Sequence, residues 1–172
     1  GGEPVTGSSA PTEVVVQVPA FEEGVGLAET LRAISAQPTP DDVEVEYQAW
    51  VTRSVDETCG YCDTMAAAQQ TRGWRTYEAP QGKLSARNKA HRQAFQNGAD
   101  IVVTWDADAP PLSDRALESL IETARQPDVV AADSQPRATT DDGVVGVVNN
   151  LAAGVEEVMR PHINGQSHAI TR

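Results

Sequence analysis

Lysine is nearly missing from this sequence: Lys83 and Lys89 are the only two, and every other basic residue is an arginine. With 13 basic residues against 25 acidic ones the formal charge is −12. The clustered cations that a nonspecific nucleic-acid binder uses to neutralise phosphates are therefore not there, and polyanions are excluded as partners except through a metal. The sequence also has no long apolar run. None reaches the roughly 18 residues that cross a bilayer, and no basic segment followed by an apolar one opens the chain. The expected setting is the cytoplasm, or the cytoplasmic face of a membrane. Cysteine is limited to Cys59 and Cys62, with three histidines beside them. A structural zinc site needs two further ligands, and neither a second Cys-x-x-Cys nor a closely spaced His pair supplies them.

A dense carboxylate surface with arginine in place of lysine fits a salt-loving host, where molar salt screens the self-repulsion. An ordinary acidic protein of a mesophile is the other reading of the same charge. The 172 residues, 40% of them hydrophobic, suffice for one core. Residues 1–12 are rich in Gly, Ser and Pro and read as a flexible tail. Residues 13–172 read as a single domain.

Strand and helix patterns alternate through that domain. Glu13–Val18 is a β-branched run ending at Pro19, and Glu22–Ala36 has helical spacing through Val25, Leu27, Leu31 and Ile34. Val43–Thr52 alternates as a second strand, followed by an Ala-rich helix from about Glu57 to Gln70 that Gly73 breaks. Trp74–Glu78 reads as a third strand, Ser85–Gln96 as a helix stopped at Asn97 and Gly98, and Asp100–Trp105 as a buried strand. Ser113 reads as the N-cap of a helix reaching Arg125. Val129–Ala132 reads as a strand, Gly143–Met159 has a mostly apolar helical pattern, and His168–Arg172 can begin a last strand. This order predicts an α/β fold: an open, mostly parallel, Rossmann-like sheet with helices on both faces and ligands at the C-terminal strand edges.

Asp106 and Asp108 follow the buried strand in the run IVVTWDADAPP, where such sheets bind ligands. Carboxylates at i and i+2 of an extended loop can turn toward one point. Mg²⁺ and Mn²⁺ are hard cations that take one or two carboxylates together with substrate phosphates, so the pair suits a metal-diphosphate site. Such triplets also serve as helix caps and Asx-turns, and position after a hydrophobic strand is what favours the metal here.

Two longer segments add to this. VVVQVPAFEEGVGLAETLRAISAQ resembles the opening of family 2 glycosyltransferases: a hydrophobic run, then Pro, Ala, an aromatic, a polar residue and Glu. QGKLSARNKAHRQAFQNGADIVVTWDADAPP resembles the family's next signature, a basic Gly-containing loop, an Ala-Arg-Asn helix, and a strand ending in Asp-x-Asp. The resemblance implies a GT-A-like fold and a nucleoside diphosphate sugar, UDP- or GDP-linked, as donor. With the acidic composition it implies a halophilic archaeal source. Pro19, Ala20 and Glu22 would line the nucleoside pocket. Lys83 and Arg87 would lie by the ribose or diphosphate, where a cation stabilises developing charge; the other reading of both is a solvated first helical turn. Asp106 and Asp108 would hold the Mg²⁺ or Mn²⁺. WVTRSVDET stands where the family has a strand and a Ser-x-Asp-x-Thr loop by the base, which carries Asp56 over, although Thr52 and Arg53 replace the usual acidic residue. INGQSHAITR resembles an acceptor-side segment and brings His168 in as a third metal ligand or diphosphate contact, against the alternative of an ordinary polar histidine.

The family's catalytic carboxylate is commonly part of a Glu-Asp pair further along, and no such pair follows Asp108. Asp133, Asp141 and Asp142 lack its context, so the catalytic residue is unassigned and the acceptor is unknown. The expectation is a piece of a longer enzyme or a nucleotide-binding module without turnover. A rival class rests on Cys59 and Cys62, a Cys-x-x-Cys opening a helix after a strand, as in thiol-disulfide oxidoreductases. A local disulfide or two idle thiols is the ordinary reading of that pair.

Overall fold

The computed structural model describes residues 9–54, 59–109, 111 and 113–127, together with the backbone of residues 131–134, 146–148 and 167–171. Four parallel strands form the body of the sheet: β1 (Thr12–Ala20), β2 (Val43–Thr52), β3 (Trp74–Ala79) and β4 (Ile101–Trp105). Three more continue it beyond β4, giving the order β3-β2-β1-β4-β7-β5-β6. These are β5 (Ala131–Ser134), β6 (Gly146–Val148) and β7 (Ser167–Thr171); β7 lies antiparallel to both β4 and β5, and β6 antiparallel to β5.

Helices cover both faces, as the alternation predicts. Val14, Val16, Val18 and Ala20 of β1 pack with Leu27, Leu31 and Ile34 of α1 (Leu27–Ser35) and with Leu117, Leu120 and Ile121 of α4 (Ala116–Ala124). Ala67 and Ala68 of α2 (Cys59–Gln70) join the same core. On the opposite face α3 (Lys83–Gln96) presents small residues, Ala86, Ala90 and Ala94, to Val15, Trp50, Ala79 and Val102. Two covered faces explain why β1 and β4 read as continuous apolar runs rather than alternating ones.

Several boundaries differ from the sequence expectation, each for a local reason. β1 runs through Pro19 to Ala20; β4 pairs with it only as far as Gln17, so the missing proline N–H costs no ladder bond on that side. The helix expected from Glu22 begins at Leu27, behind a 3₁₀ turn at Gly24–Gly26, because Glu22 and Gly24 are left-handed, with φ of 51° and 65°. Ser113 is not the cap of α4. Arg115 holds the N-cap position without a side-chain cap, and the Gln37 Oε1, 80 residues earlier in sequence, accepts from the Leu117 N–H at 2.8 Å. Gly146–Val148, inside the expected 143–159 helix, is strand β6; the rest of that stretch lies outside the described residues. The last strand falls at Ser167–Thr171, close to where it was read.

Candidate functional site

The order in which strands join the sheet turns back at β1: β2 and β3 extend it on one side, and β4, still parallel, starts the other side. α1 and α2 pack on one face and α3 on the other, so the C-terminal ends of β1 and β4 part at a switch point, where open α/β sheets leave a crevice. A cavity of about 510 Å³ lies there. Pro19, Ala20, Phe21 and Glu23 come from the end of β1, Thr52 and Arg53 from β2, Gly82 and Lys83 from the start of α3, and Asp106 and Asp108 from the end of β4.

The turn after β4 is held from behind. The Ala109 N–H donates to the Asp106 carbonyl at 3.1 Å, and the buried Trp105 indole N–H donates to the Ala109 carbonyl at 2.7 Å. Asp106 is thereby half-buried while Asp108 is exposed. Burial raises the Asp106 pKa; the positive charges of Lys83 and Arg87 oppose this, and Asp108 adds to it. The Lys83 Nζ stands 3.9 Å and an Arg87 Nη 4.0 Å from the Asp106 carboxylate. Lys83 is 72% exposed, whereas Arg87 is only 15% exposed. Arg87 is therefore the better fixed of the two, since solvated pairs are weak and mobile.

The loop after β1 presents a neighbour of the expected residue. Glu23, not Glu22, lines the cavity. It sits between the left-handed residues Glu22 and Gly24, and the Gly24 N–H donates to the buried Thr64 hydroxyl on α2 at 2.8 Å, which pins the loop. Burial first, then the charges of Asp108 and Asp106, raise the Glu23 pKa, against a backbone hydrogen bond at Phe21 that lowers it. The signal was available: the pattern Pro, Ala, aromatic, polar, Glu counted from Pro19 ends at Glu23. Phe21 and Arg53 also line the cavity without having been singled out as contacts.

Asp56 lies outside the described residues. His168 is on β7, in register with Thr104 of β4, next to the strand end that carries Asp106; its side chain is outside the described set. Cys59 opens α2, again with no described side chain, and Cys62 is exposed. Among the described residues no three His, Cys, Asp or Glu side chains gather closely enough to hold a metal alone. Asp106 and Asp108 offer oxygen only, which fits Mg²⁺ or Mn²⁺ completing its shell with phosphate and water rather than a closed protein cage. No helix among the described residues is long and apolar enough to cross a membrane.

Strand order, helix placement and the cleft together define the GT-A class of nucleotide-diphospho-sugar transferase folds. Residues 11–171 match the model described as "Glycosyltransferase like family 2", and the chain belongs to that family. Among solved structures it is similar to the mannosyltransferase PcManGT from Pyrobaculum calidifontis in complex with GDP-Man and Mn²⁺, at TM-score 0.64 and 24% identity. That match covers 96% of this chain and 46% of the mannosyltransferase, so the chain spans less than half of that protein. It is also similar to 4-diphosphocytidyl-2C-methyl-D-erythritol synthase from Anaerococcus prevotii, at TM-score 0.55 and 15% identity over 93% of this chain and 70% of that one. No curated protein sequence matches the chain.

Proposed function

We propose that this domain binds a nucleoside diphosphate sugar and serves transfer of the sugar to an acceptor hydroxyl. One observation carries the reading: the Asp106 and Asp108 carboxylates after β4 and Lys83 at the start of α3 line one switch-point cavity of about 510 Å³, with Arg87 reaching Asp106 from beside it. Pro19, Ala20 and Phe21 would form the nucleoside wall, with Glu23 in the place first given to Glu22. Lys83 and Arg87 would stabilise charge on the departing diphosphate. Asp106 and Asp108 would hold Mg²⁺ or Mn²⁺, which when bound supplies charge neutralisation at the leaving group. Asp56 and His168 remain proposed contacts of the nucleotide and of the metal or diphosphate. The acceptor hydroxyl would attack the anomeric carbon, and its proton must pass to a base that the described residues do not identify. The family and the mannosyltransferase holding GDP-Man and Mn²⁺ support this reading and put GDP first among nucleotides to try. The acidic, lysine-poor surface supports a salt-adapted protein.

Calorimetric titration of GDP and UDP into the protein in molar KCl, with Mn²⁺ and with chelator, tests it. Metal-dependent binding that Asp106→Ala/Asp108→Ala abolishes is expected; no binding by a folded protein sinks the proposal. Transfer or hydrolysis of the bound sugar nucleotide then separates an enzyme from a binding module.

A further inference from the structure

Beneath α3, away from the cleft, the sheet carries polar groups where its other face is apolar. Gln17 of β1 is 2% exposed. Its Nε2 donates to the Gln48 Oε1 at 3.0 Å and to the Ala90 carbonyl at 2.7 Å. The buried Trp50 indole N–H donates to the same Gln48 oxygen at 2.9 Å, and His91 is bonded to the Thr104 hydroxyl at 2.7 Å. A carbonyl can only accept, so the bond to Ala90 fixes which end of the Gln17 amide is nitrogen. Its Oε1 is then an assigned acceptor, buried and without a hydrogen-bond partner among the described residues. The Arg87 Nε is a buried donor in the same condition. Gln17 and Arg87 line one small cavity, with Thr104 and His91 among the other residues of its wall. About 10 Å³ of it is open to a water centre, roughly what one ordered water needs.

We propose that Gln17 is a positioning residue for Arg87: one water in this cavity accepts from the Arg87 Nε and donates to the Gln17 Oε1, holding the guanidinium toward Asp106. An unpartnered donor and an unpartnered acceptor on residues lining one small cavity are the setting in which buried water is retained. An arginine held through Nε keeps both Nη groups free for the cleft, whereas a lysine at 87 would have one nitrogen for both tasks. The water site concerns this chain alone; its consequence for binding rests on the nucleotide-sugar reading above.

The test is a double-mutant cycle on GDP binding with Mn²⁺ in molar KCl. Gln17→Met keeps the side-chain length and removes the acceptor together with the two bonds that Nε2 donates, a loss common to both backgrounds of the cycle. It is expected to weaken binding about fivefold to tenfold in the Arg87 protein and less than about twofold in an Arg87→Met background. Equal losses in both backgrounds, which a merely structural role would give, overturn the proposal, as does no loss in either. A high-resolution crystal structure of the unmutated protein decides independently of folding in the variants. Ordered water within about 3 Å of both the Arg87 Nε and the Gln17 Oε1 is expected; a dry cavity, or Arg87 swung away from it, overturns the idea. If the unmutated protein binds neither GDP nor UDP, the nucleotide reading fails by itself, and the crystallographic water still settles the role of Gln17.

Discussion

Two side chains report the tension between binding and stability. Asp106 has its pKa raised by burial, with Asp108 adding and Lys83 and Arg87 opposing, so its ionised form is disfavoured in the folded chain. Asp106→Asn is accordingly expected to abolish Mn²⁺-dependent nucleotide binding while raising the Tm of the ligand-free protein; a lower Tm would show that Lys83 and Arg87 overcompensate. His91 is the opposite kind of group. Burial, and then the Arg87 charge, lower its pKa from the ordinary 6.5 to about 4. The unfolded chain takes up the proton first, so the stability from keeping this histidine neutral is complete above about pH 6.5 and is lost as pH falls through about 4. The loss is on the order of 3 kcal/mol. Urea unfolding of the wild type between pH 7 and 4 should fall more steeply than that of His91→Gln. Parallel curves would mean that His91 titrates normally.

At the level of elements, α4 shows what local pattern cannot supply. Its N-terminus borrows a cap from Gln37, a residue in the connection after α1, whereas the sequence offered Ser113 close at hand. Gln37→Ala should cost about 1 kcal/mol, as loss of a side-chain cap does, and Ser113→Ala close to nothing; chemical denaturation of the two variants checks the contrast. The parallel strands were legible because each is a short apolar or alternating run between breakers, and Gly73 and Gly98, with φ of 85° and 97°, mark two of the helix ends. Asp106, Asp108 and Lys83 were legible because they flank such elements. Glu23 was legible only in the motif counted from Pro19 and not in hydrophobic spacing, because the left-handed turn at Glu22 decides which neighbour faces the cleft. The polar layer under α3 was equally hidden. Gln17, Gln48 and Thr104 interrupt apolar strands at positions 31 and 87 residues apart from Gln17, and only pairing brings them together.

For the whole molecule, charge and topology matter most. A formal charge of −12 repels itself in dilute buffer, and salt shortens its reach from about 10 Å at 0.1 M to about 3 Å at 1 M. The Tm should therefore climb by several degrees between 0.1 M and 2 M KCl; a flat response, or a fall, removes the case for salt adaptation. The position of β7 has a different bearing. Among the described strands this segment comes last in sequence, yet it lies between β4 and β5. During synthesis on the ribosome the Ile-Val-Val-Thr-Trp strand at 101–105 emerges more than sixty residues before its antiparallel neighbour, and until then one side of its backbone is open to pairing with another chain. This part of the sheet closes only once residues 167–171 have been made, and until then the open side of β4 is where two unfinished chains can pair.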